Sequence, residues 1–264
     1  MQRGDRLESK AGAAPARPGR LVALAPFLSH VRAVRTLGIR PRMADYTREE
    51  RRALLGADRV LYPTPRFATV LEAAGCRCFP SAFTYSLWKD RTLQWRTAAY
   101  AQVPLPWHRI CHGDRAKQDV LARWGLPLRA AGPRCPRDPV LTVDRLEQWE
   151  QACRTHNPLM VWRPVQAKAA LEVFCVQDVA VAWRLLDPEG HLAGERTVSV
   201  RQAVQATQRW FHEVRVSEAL VRWVWTGDQW LFDALKRPPS RWRHGQGVCR
   251  RFQIIADLVE RGLV

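Results

Sequence analysis

Apolar runs alternate with helical patterns over the first third of the chain. The apolar runs are four or five residues long, which suits buried strands. Thr47 with Glu50 three residues later forms a capping box, which marks the start of a helix. The expected strands are 21–25 and 59–62, and the expected helices are 29–37, 47–55 and 67–74. Strands that alternate with helices predict a small parallel α/β domain over residues 21–85.

The remaining pattern predicts two lobes that each combine helices with strands. Val103-Pro104-Leu105-Pro106 follows the first helical stretch, and its prolines require an extended backbone there. From residue 159 the pattern becomes mostly β. The expected helices are 86–101, 144–155, 200–214 and 249–262, and the expected strands are 126–130, 140–143, 160–162, 171–176, 179–186, 220–225 and 230–232. We therefore expect an α/β protein with α+β lobes over 86–158 and 159–264.

The last two predicted strands form a hairpin that carries a single carboxylate. Its turn is Thr226-Gly227-Asp228, between two aromatic and β-branched runs. The second strand is expected to end at Asp233. The residues after it are apolar and then basic, in the order Ala234, Leu235, Lys236 and Arg237. In an enzyme, a carboxylate at this place could hold a cation. The residues that should help Asp233 to do so are apolar or positively charged.

The chain is strongly basic, with a formal net charge of +17 and an isoelectric point near 10.7. Only five of its 42 basic residues are lysines, so arginine supplies the other 37. Such a composition is typical of GC-rich coding, and no polybasic run or recognition motif accompanies it. We therefore favour compositional bias over a dedicated nucleic-acid surface, and nucleic acid stays a secondary candidate partner.

The cysteines and the apolar runs indicate the cellular compartment of the chain. The seven cysteines are scattered and form no Cys-x-x-Cys pair, which predicts reduced thiols, no metal cluster and a cytoplasmic location. Residues 1–20 are polar, basic and rich in Ala and Pro, as expected of a disordered leader rather than a signal peptide. No apolar run approaches 18 residues, so we expect no membrane partner.

Several short segments occur in a characteristic order from about residue 60 to 263. They are 75–81, Lys89-Asp90-Arg91, Val103-Pro104-Leu105-Pro106, Leu126-Pro127-Leu128-Arg129, 144–149, 171–176, 179–184 and the hairpin. This collinear set resembles the ATP-grasp superfamily, in particular its glutamate-ligase-like branch. The resemblance implies an ATP-grasp fold with 21–85 as a pre-ATP-grasp domain, 86–158 as the central lobe and 159–264 as the carboxyl-terminal lobe.

The resemblance also implies a chemistry and its cofactors, ATP and Mg²⁺. In that superfamily ATP phosphorylates a carboxylate, ADP leaves, and an amine attacks the acyl phosphate. Two lysines and a glycine-rich loop with free N–H groups hold the triphosphate. Acidic residues and an Asn hold Mg²⁺, which prefers oxygen ligands in octahedral geometry.

At the nucleotide positions this chain departs from the superfamily pattern. Arg91 and Arg129 stand in place of the two lysines, which keeps the positive charge. Arg163 replaces the acidic hinge residue and Glu172 replaces an arginine, an exchange that an ion pair between them would explain. The loop 132–139 has one glycine and three prolines, which lack N–H donors. By resemblance, contacts to a nucleotide or another anionic small molecule are expected from Arg91, Arg129, Arg163 and Arg184.

The metal positions depart further. Asp233 is the implied metal ligand, but Arg222 stands where the first metal-binding Asp is expected, and Leu235 replaces the Asn. An ion pair of Asp233 with Arg222 or Lys236 is therefore favoured over a residual metal site.

Two functions follow as hypotheses. The first is an ATP-grasp-fold protein related to ADP-forming carboxylate–amine ligases, with weak or lost catalysis. The alternative is a non-catalytic binding module for an acidic peptide, nucleic acid or a partner ligase. The second hypothesis predicts binding that weakens steeply with salt and needs no Mg²⁺.

Overall fold

A computed structural model of the chain describes residues 20–192, 199–244 and 247–264, with His244 described by its backbone alone. The predicted leader therefore lies outside the described residues, apart from Arg20. Within the described part, no helix is both long and apolar enough to cross a membrane.

The amino-terminal sheet is parallel and has the strand order β2-β1-β3-β4. Its elements are β1 (Leu21–Ala23), β2 (Val34–Thr36), α1 (Arg48–Leu55), β3 (Arg59–Leu61), α2 (Pro65–Ala73) and β4 (Cys78–Phe79). The Thr47 capping box is confirmed, because its side chain accepts from Glu50 N and Glu50 bonds back to Thr47 N. The helix predicted over 29–37 is wrong, because the second half of that segment pairs with β1 as strand β2.

The central sheet is antiparallel, in the order β5-β8-β6-β7, with two helices packed on one face. The two helices on that face are α5 (Asp114–Trp124) and α6 (Leu146–Thr155), and the strands are β5 (His108–Cys111), β6 (Leu128–Ala131), β7 (Leu141–Val143) and β8 (Leu159–Trp162). The helices α3 (Ala82–Leu87) and α4 (Arg91–Tyr100) precede the sheet in the chain. The helix predicted over 86–101 is divided, because Asp90 caps α4 by accepting from Leu93 N. Strand β5 and helix α5 were not predicted.

The carboxyl-terminal sheet is antiparallel, in the order β10-β9-β11-β12. Its elements are β9 (Ala169–Val176), β10 (Val179–Leu186), α7 (Arg201–Val214), β11 (Glu218–Trp225) and β12 (Trp230–Lys236), followed by the hairpin β13 (Arg241–His244) and β14 (Gly247–Arg250) and by α8 (Arg251–Glu260). Strand β12 continues past Asp233 to Lys236, so the expected strand end at Asp233 is wrong.

The carboxyl-terminal sheet has a core on each face. One face packs against α7, α4 and the inner face of the central sheet. The other packs against α8, the β13–β14 hairpin and the amino-terminal sheet. Trp95 of α4 is buried where the first core joins two sheets, with ring centroids 5.3 Å from Trp162 and 5.9 Å from Phe232. The faces of the two antiparallel sheets therefore meet along one continuous core.

Candidate nucleotide and metal site

The loop 132–139 connects β6 to β7 and is held by the first residue of α4. The guanidinium of Arg91 donates to Gly132 O at 2.5 Å and to Asp138 O at 3.0 Å, so it joins both ends of the loop. The backbone adds bonds from Arg91 N to Pro133 O and from Cys135 N to Lys89 O, each 2.7 Å long. The predicted nucleotide contact Arg91 thus uses its donors inside the protein.

A buried carboxylate fixes the same loop from inside. Asp138 is 4 % exposed, and its Oδ2 accepts from Arg134 N at 2.9 Å. His156 Nδ1 lies 4.0 Å from the same oxygen. A Cβ at Gly132 would lie 2.3 Å from Asp138 Oδ2, so only glycine allows this close approach. These contacts hold the loop 132–139 in one conformation.

Arg129 and Arg163 lie close together near the link from β8 to β9. Arg129 is exposed and pairs in register with Trp162, the residue before Arg163. Opposite residues in antiparallel strands share a face, and Trp162 packs toward the carboxyl-terminal sheet, so Arg129 faces that sheet too. Arg163 donates its backbone N–H to Trp107 O at 3.0 Å. Neither arginine side chain has a hydrogen bond or ion pair within the described residues.

A row of alternating charge crosses the carboxyl-terminal sheet. The strand register places Arg184 of β10 opposite Glu172 of β9, and Glu172 opposite Arg222 of β11. Arg222 pairs in turn with Ala234 of β12, next to a β-bulge that leaves Asp233 as the extra residue. We call Arg184, Glu172, Arg222 and Asp233 the charge row.

Each carboxylate of the charge row has a guanidinium partner. Glu172 accepts from Arg184 Nε at 2.8 Å, with Arg184 Nη2 at 2.6 Å, and from Trp242 Nε1 at 3.2 Å. The Arg184 guanidinium also lies 5.0 Å from the Trp242 ring centroid. Asp233 Oδ2 lies 3.2 Å from Arg222 Nε. The ion pair favoured from the sequence for Asp233 is present, whereas the ion pair considered for Arg163 and Glu172 is wrong, because Arg184 is the partner of Glu172.

Known structures share this arrangement of sheets, although neither a protein-family model nor a curated protein matches the sequence. A RimK-domain ATP-grasp protein from Sphaerobacter thermophilus is 17 % identical with a TM-score of 0.61, over 82 % of this chain and 90 % of that one. VanG D-Ala:D-Ser ligase from Enterococcus faecalis is 14 % identical with a TM-score of 0.58, over 78 % of this chain and 73 % of that one.

A third similar structure is the ADP complex of N5-carboxyaminoimidazole ribonucleotide synthetase. It is 12 % identical with a TM-score of 0.56, and the match covers 83 % of this chain but only 63 % of the synthetase. The chain has the ATP-grasp fold. At these identities the likeness concerns the fold alone, so the chemistry of the site depends on this chain's own residues.

The residues present at this site of the ATP-grasp fold do not suit Mg²⁺. No group of three or more His, Cys, Asp or Glu side chains able to hold a metal ion occurs in the described residues. Asp233 has a guanidinium 3.2 Å away, and the neighbouring Glu172 is already bonded to Arg184 and Trp242. Leu235, at the expected Asn position, is 2 % exposed and packs in the core. Mg²⁺ prefers oxygen ligands, and neither of these two carboxylates is free of a guanidinium partner.

Sequence reasoning missed the partners that give the site its present form. The role of Asp138 depends on how the loop 132–139 closes. The Arg184–Glu172 pair depends on strand register, which places two residues 12 positions apart side by side. The contact between Gln94 and β12 was also missed. The Gln94 amide bonds to Leu235 N at 3.3 Å and Leu235 O at 2.9 Å, and this fixes β12 against α4. The one available signal was the opposite charge of Glu172 and Arg184 on adjacent predicted strands.

Proposed function

We propose that this chain is an ATP-grasp-fold protein, related to ADP-forming carboxylate–amine ligases, in which ligation is weak or lost. The observation that carries the proposal is the charge row. Its two carboxylates and two guanidiniums compensate one another across the sheet, at positions where the resemblance places metal and nucleotide contacts. A site that is already neutral internally has little charge left for Mg²⁺ and a triphosphate.

Electrostatics decide against a metal clamp at Asp233. A guanidinium about 4 Å from an incoming cation opposes each of its positive charges by roughly 4 kcal/mol at a surface-like dielectric. Arg222 lies closer than that to the Asp233 oxygen that would ligate the metal. Binding would therefore require Arg222 to move away and Asp233 to lose its partner.

The loop 132–139 supports the same conclusion. A phosphate-binding loop works through backbone N–H groups that are free to approach phosphate oxygens. Here three residues are prolines, and the N–H groups of three others already bond within the protein. Those three donors belong to Arg134, Cys135 and Asp138. Few donors remain for a nucleotide.

The direct test is ADP release from Mg²⁺–ATP over a panel of carboxylates and amines. We expect ADP release that is absent or barely above the rate without protein, and rapid steady ADP production by the native chain would contradict the proposal. Arg222→Asp provides a readout besides activity, because it would place a second carboxylate beside Asp233. The variant should show Mg²⁺-dependent thermal stabilisation that the native chain lacks. Arg222→Leu is the matched control, since it removes the cation without adding a ligand.

A second candidate function is non-catalytic binding of an acidic peptide, nucleic acid or a partner ligase. The observation that favours it is the pair of exposed arginines, Arg129 and Arg163, whose side chains have no partner in the described residues. Binding through them should weaken steeply between 50 and 200 mM salt, without any need for Mg²⁺. Arg129→Ala with Arg163→Ala should remove that salt dependence, and salt-insensitive binding by the native chain would contradict it.

A further inference from the structure

A pocket of about 640 Å³ opens at the amino ends of strands β3 and β4. The last turn of α7 and the turn between β9 and β10 line it as well. This volume lies within the range of about 300–1,000 Å³ that is usual for small-molecule sites. None of the described residues that line the pocket belongs to the charge row or to the loop 132–139, so it is separate from the candidate nucleotide and metal site.

Two arginines that line the pocket lie side by side on neighbouring strands. Strands β3 and β4 are parallel, with Val60 paired to Cys78, and the same register places Arg59 beside Arg77. A 2.8 Å bond from Val60 N to Arg77 O continues the pairing at this end. Like charges in neighbouring positions across a sheet repel each other. Burial and the nearby charge of Arg77 also lower the pKa of Arg59 below its ordinary value. The fold therefore keeps two repelling guanidiniums at one wall of the pocket.

A third arginine reaches the pocket from the end of α7. Arg215 has a left-handed backbone conformation with φ of 55°, and its N–H donates to Phe211 O where the helix ends. Arg77 and Arg215 are exposed, and Arg59 is half-buried. The side chains of all three arginines have no hydrogen bond or ion pair within the described residues. Their donors are therefore left for a group that comes from outside the chain.

The two acidic residues that line the pocket already have other partners. Glu72 accepts from Ala82 N at 3.1 Å. Asp178 Oδ2 lies 3.3 Å from His212 Nδ1. Neither carboxylate pairs with an arginine in the part of the chain that the structure describes. The repulsion between the arginines is therefore not relieved from within the pocket.

We propose that this pocket binds a small, soluble phosphorylated anion that carries at least two negative charges. Arg59 and Arg77 would share one phosphate group, and Arg215 would bind the same ligand from the side of α7. A guanidinium donates in a fork that matches the oxygens of a phosphate. A shared anion would also replace the repulsion between neighbouring arginines by attraction to a common partner. Because the pocket is separate from the charge row, the inference does not depend on whether ATP is turned over.

The test titrates the full chain by calorimetry with pyrophosphate, glycerol 3-phosphate and acetate, in a phosphate-free buffer that contains a chelator. We expect at least one of the phosphates to bind ten-fold or more tightly than acetate. Equal affinity for acetate, or no binding of either phosphate at millimolar concentration, would overturn the proposal. Vesicles of phosphatidate and phosphatidylcholine form a fourth arm. Binding to these vesicles without binding of either soluble phosphate would assign the site to a membrane surface and would also overturn it.

Variants locate the binding. Arg77→Ala with Arg215→Ala should weaken the preferred phosphate at least ten-fold without lowering the unfolding midpoint, because both side chains are exposed and have no partner in the described residues. Arg154→Ala with Arg261→Ala is the matched control, since it removes the same charge from exposed positions that do not line the pocket. Equal weakening in both double variants would show a general charge effect and would overturn the site.

A second control separates this pocket from the exposed pair Arg129 and Arg163. Arg129→Ala with Arg163→Ala should leave the affinity for the preferred phosphate unchanged, because neither residue lines the pocket. Loss of binding in this variant, with binding retained in Arg77→Ala with Arg215→Ala, would place the phosphate elsewhere and would overturn the proposal.

Arg77→Glu separates a ligand role from a structural one. It would place a carboxylate beside Arg59, so the unfolding midpoint without ligand should stay the same or rise. Affinity for the preferred phosphate should fall at least ten-fold, because an attractive group becomes a repulsive one. A lower midpoint with unchanged affinity would contradict the role given to Arg77.

Discussion

Strand β11 contributes to two ion pairs, four residues apart, that differ in their exposure to solvent. At its first residue, Glu218 pairs with Arg251, and the two side chains are 0 % and 3 % exposed. Further along, Arg222 pairs with Asp233, and the two side chains are 28 % and 37 % exposed. In both pairs a guanidinium neutralises a carboxylate, but the first pair is buried and the second is partly exposed to solvent. The comparison separates a pair that joins elements of the fold from a pair that lies at the candidate site.

The buried pair fixes the last helix to the sheet. Arg251 is the first residue of α8, and it donates Nε to Glu218 Oε2 at 2.9 Å and Nη1 to Pro238 O at 2.9 Å. The third guanidinium nitrogen, Nη2, bonds the other carboxylate oxygen, Glu218 Oε1. The rings of Tyr62, Trp88 and Phe252 lie within 5.1–5.7 Å of the guanidinium carbon. Such a fully bonded buried pair contributes to a single arrangement of the elements that it joins, and losing one partner is costly.

The half-exposed pair has a different consequence. Water screens it, so its contribution to stability is small. It nevertheless occupies the position where the resemblance places metal ligands, and so it controls what chemistry the sheet can support. Residues with little effect on folding can change without loss of the fold, which is what the proposed function requires of this pair.

The largest expected effect comes from breaking the buried pair. Arg251→Leu should lower the free energy of unfolding by about 3–5 kcal/mol, because it leaves Glu218 charged, buried and unpaired. Denaturant unfolding followed by tryptophan fluorescence measures it.

Two controls sharpen this result. Glu218→Leu combined with Arg251→Leu should restore most of the lost stability, since both buried charges are then gone. Arg250→Leu changes the exposed neighbouring arginine and should cost little. A loss below about 1 kcal/mol for Arg251→Leu alone would contradict a structural role for the buried pair.

An intermediate effect is expected at Arg91. Arg91→Ala should cost about 1–3 kcal/mol, because two carbonyls of the loop lose a charged donor. Arg91→Lys keeps the charge but cannot reach both ends of the loop, so it should remain destabilised. Hydrogen exchange over residues 132–139 should be faster in both variants. Full recovery of stability in Arg91→Lys would mean that charge, rather than the bridging geometry, is what matters there.

The smallest effect is expected at the half-exposed pair. Asp233→Asn and Arg222→Leu should each change the free energy of unfolding by less than about 1 kcal/mol. A double-mutant cycle over the two positions should give a coupling of roughly 0.2–1 kcal/mol that decreases with salt. A coupling of several kcal/mol would remove the contrast between the two pairs on β11.

Much of the fold could be predicted from local patterns, whereas the site depended on pairing. The Thr47 capping box, the aromatic and β-branched hairpin strands and the collinear ATP-grasp segments are local signals, and the structure contains the helix, the hairpin and the fold that they indicate. Segment 29–37 was misassigned because a three-residue strand is too short to show a period of two. The Glu172 partner was misassigned because only the register between β9 and β10 selects Arg184. Of the predicted ligand contacts, Arg91, Arg184 and Asp233 have partners inside the protein, whereas the side chains of Arg129 and Arg163 have none in the described residues.

The central claim is that internal ion pairs have replaced the Mg²⁺–ATP contacts of this sheet. The most direct measurement is calorimetric titration of the native chain with ATP, once with excess Mg²⁺ and once with a chelator. The account predicts the same affinity in both titrations, or no binding in either, because each carboxylate of the charge row already has a guanidinium partner. Binding that becomes ten-fold or more tighter with Mg²⁺ would contradict it.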